Sequence, residues 1–348
     1  MKRALLLLIF LSGFLIGCTP DARFPQVGSF YISPFELKSE EKKFSARLAL
    51  SPNGETVAIS WIGGHDLVNL RSGQRSDLDE ELSLWDLNAA NGDIFDGQVF
   101  WSFDRRYLGL TGRHYGNSPI ATGEVFYRFD LETGAAERYE MWAATFSPFN
   151  SDQVLTEEGV YDLRDGTLLP FAPDVDFREE RAFGVTSSPR NLLWSKRLGV
   201  PVGRLSTLPY WDVPANIDVR VAVESYHSPD PEKPAHSVPI GFTSRRPNQL
   251  AGMVFDPTGE YVLLAEWQCS PDAPTPCRIT PYYADNVYDS ALFLVRWKTG
   301  EQQELIRLSE IDHEHVVAHG YMAWSADGST ILVSRYDAPP VVLKVMYP

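Results

Sequence analysis

Three of the chain's seven histidines fall within seven positions, in Asp312-His313-Glu314-His315 and then His319. Imidazole and carboxylate at that density suit zinc or another transition metal. On a strand, His313, His315 and His319 would share a face; on a helix only His315 and His319 would pair. A second cluster, Asp77, Asp79, Glu80 and Glu81 in SDLDEELSLWDL (76–87), offers the hard oxygens that calcium takes. It lacks the alternating Asp-x-Asp-x-Asp-Gly order of a dedicated calcium loop, and a solvated acidic loop is the competing reading. No Gly-x-Ser-x-Gly elbow presents a nucleophile. Gly-rich phosphate loops are missing too, and no cofactor is expected. Loop aromatics are more numerous: Tyr115 in GRHYGNSP, Trp211 in LPYWDVP, and Tyr282, Tyr283 and Tyr288 in TPYYADNVYDS. Beside Pro and Asn such residues mark protein-binding faces, or else they pack over the rim of the fold.

Chemistry of this kind depends on where the chain resides. Residues 1–17 pair a basic start, Lys2 and Arg3, with thirteen apolar positions from Ala4 to Ile16. A spanning helix needs about twenty, so the stretch has the shape of a signal peptide. Leu15-Ile16-Gly17-Cys18 resembles the lipobox of bacterial lipoproteins. That resemblance implies a lipidated Cys18 as mature N-terminus, with residues 18–27 a short linker and the membrane as a partner through the lipid. Residue 19 is Thr rather than the Asp that retains some lipoproteins at the inner membrane, which implies the outer membrane, facing the periplasm. Cys269 and Cys277, eight apart in WQCSPDAPTPCRIT, then read as a disulfide across a loop, with two free thiols as the alternative.

With 31 Lys and Arg against 46 Asp and Glu, the net charge is -15. Nucleic acid is therefore not expected as a partner, since it needs a basic face. A hydrophobic fraction of 44% indicates a large core, and 25 Gly with 25 Pro favour many short elements joined by tight turns.

Those elements recur. ARLALSPNGETVAISW (46–61), VFWSFDRRYLGLTG (99–112), WAATFSPFNSDQVLT (142–156), a weaker GVTSSPRNLLWS (184–195), AGMVFDPTGEYVLLAEW (251–267) and YMAWSADGSTILVSRY (321–336) each read as strand, turn, strand. From Ser51, Ser102, Ser147, Ser188, Asp256 and Ser325 the spacings are 51, 45, 41, 68 and 69. A second hairpin follows several of them, in 82–93, 125–139, 159–171 and 292–308. Four antiparallel strands per repeat build a β-propeller. The SPNGETVAIS and FDPTGEYVLL hairpins followed by W-D-L or F-D-L strands resemble the WD40-like repeats of TolB-type propellers, in which His319-Gly320 fits a structural His-Gly position.

The fold class expected is all-β: one propeller over 28–348 with about six blades. The last repeat lacks a fourth strand, and GSFYISPFEL (28–37), without a partner of its own, is expected to supply it. Between about 197 and 248 the pattern is irregular; its strands either finish the fourth blade or form a seventh. The function expected is a membrane-anchored scaffold that binds envelope protein partners. The alternative is a ligand- or metal-binding sensor, or a cryptic hydrolase, using the propeller channel. The repeats leave no room for a separate catalytic domain.

Overall fold

The computed structural model describes residues 24–38, 41, 46–61, 64–95, 97–116, 120–171, 182–185, 191–208, 220–225, 237–240, 242, 250–269, 287–335 and 338–348. Its first strand, β1 (Gln26–Ile32), belongs to the last sheet. The first sheet holds β2 (Arg47–Leu50), β3 (Thr56–Trp61), β4 (Gly64–Asn69) and β5 (Arg75–Asp77). In the second, β6 (Asp93–Ile94) and β7 (Val99–Trp101) share one edge of β8 (Tyr107–His114), followed by β9 (Gly123–Asp130) and β10 (Ala136–Tyr139). The third runs through β11 (Thr145–Phe146), β12 (Gln153–Leu155), β13 (Gly159–Asp162) and β14 (Leu168–Pro170). The fourth contains β15 (Ala182–Val185), β16 (Leu192–Ser195), β17 (Pro201–Leu208), β18 (Arg220–Ser225) and β19 (Ser237–Pro239). The fifth has β20 (Leu250–Phe255), β21 (Tyr261–Cys269), β22 (Val287–Arg296) and β23 (Glu301–Arg307). The sixth joins β24 (Ala318–Trp324), β25 (Thr330–Arg335) and β26 (Ala338–Met346) to β1.

The chain is thus a six-bladed β-propeller. Each seam between blades holds its own apolar cluster, six clusters for six seams. Strand alternation explains the division. On β21, Tyr261, Leu263 and Ala265 enter the seam with the sixth blade, while Val262 and Leu264 enter the seam with the fourth. Sheets covered on both faces need apolar side chains on both, which is why the repeats read as almost continuous apolar runs. Each fully buried Leu, Ile or Phe contributes roughly 1.5–3 kcal/mol.

The N-terminal strand closes the ring as expected. β1 pairs antiparallel with β26 from Gln26↔Met346 to Ile32↔Val341. Beyond it, the buried Glu41 accepts Arg75 Nη1 at 2.6 Å and the Lys38 backbone N–H at 2.6 Å, tying the entering chain to the first blade.

The repeated Ser has a defined task. The buried Ser102 Oγ accepts the Tyr107 N–H at 2.8 Å and donates to Asp104 Oδ1 at 2.6 Å. Ser51 and Ser325 make the same pair of bonds, to Thr56 N and Asn53 and to Thr330 N and Asp327. Asp256 substitutes its carboxylate, accepting the Tyr261 N–H at 2.7 Å. These turns need one left-handed residue. Gly54 and Gly259 supply it at φ 67°, and Arg105 is forced to the same φ of 67° in the second blade.

The expected strand–turn–strand of 184–195 is β15–β16; Ser188 lies outside the described residues, and the buried turn like those of Ser102 and Ser325 is held by Ser195. Ser195 is fully buried, its N–H bonds Val200 O at 3.0 Å, and its Oγ accepts the Leu198 N–H at 3.2 Å. The spacings around it become 48 and 61 residues. Strands β17, β18 and β19 therefore finish the fourth blade, no seventh is needed, and β15 is an added strand on the axis-side edge of β16. One expectation fails, at 82–93, read as a strand hairpin. It is helical: α1 (Leu78–Glu81), capped by Asp77, and α2 (Leu84–Asn91). The segment has no β-branched residue before Ile94 and buries Leu78, Leu82 and Leu84 in the first seam. The true second hairpin is β4–β5.

Candidate functional site

Antiparallel alternation gives the ring two unlike ends. At the turn end lie the hairpins β2–β3 and β4–β5 and their equivalents, most of them tight; β18 and β19 are joined there by a longer segment. At the loop end lie the connections between second and third strands and between blades. These include α1 and α2, the segment between β8 and β9, and the segment from β23 to β24.

The best-built part of the loop end is the seam between the first and second blades, at its center Asp93. This carboxylate is fully buried and takes four bonds. Tyr127 OH donates at 2.6 Å, Arg138 Nε at 2.7 Å and Arg138 Nη2 at 3.2 Å, while His114 Nδ1 stands 2.6 Å away. Register explains the meeting: Asp93 pairs with His114 on β8, and Arg138 pairs with Tyr127 across β9 and β10. Burial by itself would raise the Asp93 pKa, but the bonds from Arg138, Tyr127 and His114 overrule it and hold the group below the usual carboxylate range. Burial and the Asp93 carboxylate together push the Tyr127 phenol well above its ordinary value, so it stays a donor. Asp93 is therefore a fixed anion and no proton acceptor. Beside it His114 has its ring oriented through Nδ1 and one-third exposed. Nε2 faces Gly116, where a Cβ would come within 3.3 Å of it.

Helix α2 completes this corner. Asn91 donates to Tyr127 OH at 3.1 Å, and the Gly92 carbonyl accepts the N–H groups of Tyr115 and Gly116 at 2.8 and 3.1 Å. A second Asp–His pair lies beneath: Asp79 accepts His65 N–H at 2.8 Å and stands 2.9 Å from His65 Nδ1. Phe95 separates the pairs, edge-on to His65 at 5.8 Å and to Tyr127 at 4.9 Å. His65 Nε2 is buried with no hydrogen-bond partner. The acidic segment 76–87 is thereby accounted for in part, with Asp77 capping α1 and Asp79 holding His65.

The other expected site residues scatter over the same end. Tyr115 follows His114 and is half-buried; Tyr288, at the start of β22, is exposed. His313 is exposed, and His315 Nδ1 lies 3.1 Å from Asp312. Asp312 also accepts Arg335 Nη1 at 2.6 Å, and that bond holds its pKa far below the carboxylate range. Arg335, buried, further donates to the carbonyls of His315 and Pro339. Arg335 thus pins the segment, and the role visible for Asp312 is structural. His319 sits in β24 with its side chain outside the described residues. Among the described residues, no three His, Cys, Asp or Glu side chains gather as metal ligands. Cys269 ends β21, its side chain undescribed; Cys18, Trp211, Cys277, Tyr282 and Tyr283 lie outside the described residues. The Asp93 center was missed in the sequence because its partners stand 21 to 45 residues from Asp93 and only register assembles them.

No family model matches the chain, and no curated protein matches it. Among solved structures it is similar to a chain of the mitotic checkpoint complex, at 12% identity and TM-score 0.43, over 96% of this chain and 98% of that one. It is also similar to oligogalacturonate lyase from Vibrio parahaemolyticus, at 13% identity and TM-score 0.41, over 86% of this chain and 77% of that one. A third is the Myceliophteria thermophila Cps50 (Swd1) β-propeller domain, at 14% identity and TM-score 0.39, over 90% of this chain and 98% of that one. Matches at this level decide nothing about activity. The six-bladed ring rests on the pairing of the chain's own strands.

Proposed function

We propose that the chain is a lipid-anchored lipoprotein of the bacterial envelope whose propeller acts as a protein-interaction module, presenting its loop end to an envelope partner. The observation that carries this reading is the inequality of the two ends. Turns at one end satisfy their own polar groups, whereas the other end carries a prebuilt polar corner of His114, Arg138 and Tyr115 in the second blade, with Ile120 exposed in the same blade and Tyr288 exposed on the fifth. Rigid scaffolds carry binding residues on loops of this kind, and Tyr and Arg dominate interface energetics. The leader and Leu15-Ile16-Gly17-Cys18 support the anchor, and Thr19 supports the periplasmic side of the outer membrane. In that oxidising compartment Cys269 and Cys277 form a disulfide between β21 and β22.

A photo-crosslinking amino acid placed in cells at Ile120, Tyr288 and, at the turn end, Lys298 tests the reading. The expected result is one discrete adduct shared by Ile120 and Tyr288 and missing from Lys298. Lack of adducts at all three positions, or an adduct confined to Lys298, overturns it.

A further inference from the structure

We infer that the turn end of the ring lies against the lipid surface, so that the loop end points away from the membrane; this rests on the lipoprotein reading above. The polarity of one strand carries the argument. β1 starts at Gln26 opposite Met346 and ends at Ile32 opposite Val341. β26 runs from the loop end to the turn end, so antiparallel β1 enters the ring at the turn end. From Cys18 to Phe24 is six residues, a reach of at most about 21 Å when fully extended. The loop end lies one strand further on, six residues at about 3.3 Å each. Bringing that end to the membrane would need the linker stretched along the outside of the sixth blade.

The surface of the turn end fits the occupant. Met346, beside the entry of β1, is 58% exposed, and Phe103 is 49% exposed. Phe149 and Tyr347 are exposed at the same end. Phe103 and Phe149 flank a cavity of about 360 Å³ between the second and third blades, with Arg106 in its wall. Arg71, Arg105, Arg164, Lys196, Arg197 and Lys298 are distributed over the turns of five blades, interspersed with the acids there. Aromatic rings and long basic side chains are the groups that settle at a headgroup layer, their apolar parts toward the acyl chains and their charges in water. At the loop end, α1 exposes Glu80 and Glu81 beside its cap Asp77, with Asp79 buried against His65.

The test uses the full-length lipidated protein in vesicles of phosphatidylethanolamine and phosphatidylglycerol doped with nitroxide-headgroup lipid. A genetically encoded coumarin amino acid is placed singly at Phe103, Met346, Ile120 or Tyr288, which leaves the native cysteines untouched; thermal melts verify the fold. The expected result is loss of most fluorescence at positions 103 and 346 and none at 120 and 288. Quenching at 120 or 288, or at no position, overturns the orientation while the lipoprotein reading stands, provided mass spectrometry finds the lipid on Cys18. A mature chain without that lipid overturns both.

Discussion

Two carboxylates buried at opposite ends of the ring, Asp256 and Asp93, are handled in opposite ways. At the turn end Asp256 is fully buried and meets only neutral donors: the Tyr261, Glu260 and Thr258 backbone, the Thr258 hydroxyl and Tyr347 at 3.0 Å. Burial prevails, and its pKa is raised. At the loop end Asp93 and Asp312 face Arg138 and Arg335, and both are lowered. The difference lies in whether a cation shares the site. The Asp256 turn fixes backbone with neutral donors alone, whereas Asp130 and Asp162 in the turns of the second and third blades pair with Arg106 and Arg164 and are lowered. A corner built from distant strands uses charge to hold them in register.

The largest break in this comparison is Asp93→Ala. Removing the carboxylate leaves Arg138, Tyr127 and His114 without their common acceptor. A loss of about 3 to 5 kcal/mol in urea unfolding is expected, the cost of stranding a buried charge; a loss under 1 kcal/mol on the same scale would mean water replaces the carboxylate.

Replacing each carboxylate with its amide sharpens the contrast by sign. Asp93 has a folded pKa below its unfolded value of about 4, so its stabilisation is present above that pH and fades in acid. The deficit of Asp93→Asn against the native chain should be widest at neutral pH and shrink as pH falls. Asp256 has a raised folded pKa, so the native chain loses its contribution as pH rises from about 4. The deficit of Asp256→Asn should be widest in acid and shrink toward neutrality. Unfolding curves between pH 3 and about 7 decide it, and parallel pH profiles for the two variants would erase the distinction.

Ser325→Ala removes the acceptor of the Thr330 N–H inside a buried turn, with an expected cost of about 1 to 3 kcal/mol. Ser195→Ala should cost a similar amount, read by thermal melts. Phe103→Ser, an exposed turn residue, should change stability by no more than about 0.5 kcal/mol.

Much of the fold was legible because the turns carry it. Asn53-Gly54, Thr258-Gly259 and Asp327-Gly328 announce left-handed positions between apolar runs, and GSFYISPFEL had no other strand to join. Ser188-Pro189 copies the Ser-Pro of the first and third repeats and drew the eye, while the buried Ser195 is followed by the less familiar Lys-Arg-Leu-Gly. LSLWDL misled because its alternation fits a strand, yet Asp77 can cap a helix there. The β4–β5 hairpin, GHDLVNLRSGQRSD, was overlooked since its apolar run is short and interrupted by charges. The Asp93 center was illegible for another reason. No local pattern links Asp93, His114, Tyr127 and Arg138; only the register of four strands does.

The pairing of β1 with β26 also sets the order in which the molecule can be completed. Of the described strands β1 is synthesised first and its partner β26 last, with Ile32 meeting Val341. The strands inside the other blades pair with near neighbours, so those sheets can form as the chain emerges, while the sixth waits for its end. Until then two strand edges stay open at once, each able to recruit a foreign strand. A chain stopped short of Ala338 would keep both open for good, and quality control would meet a nearly finished ring with an adhesive gap.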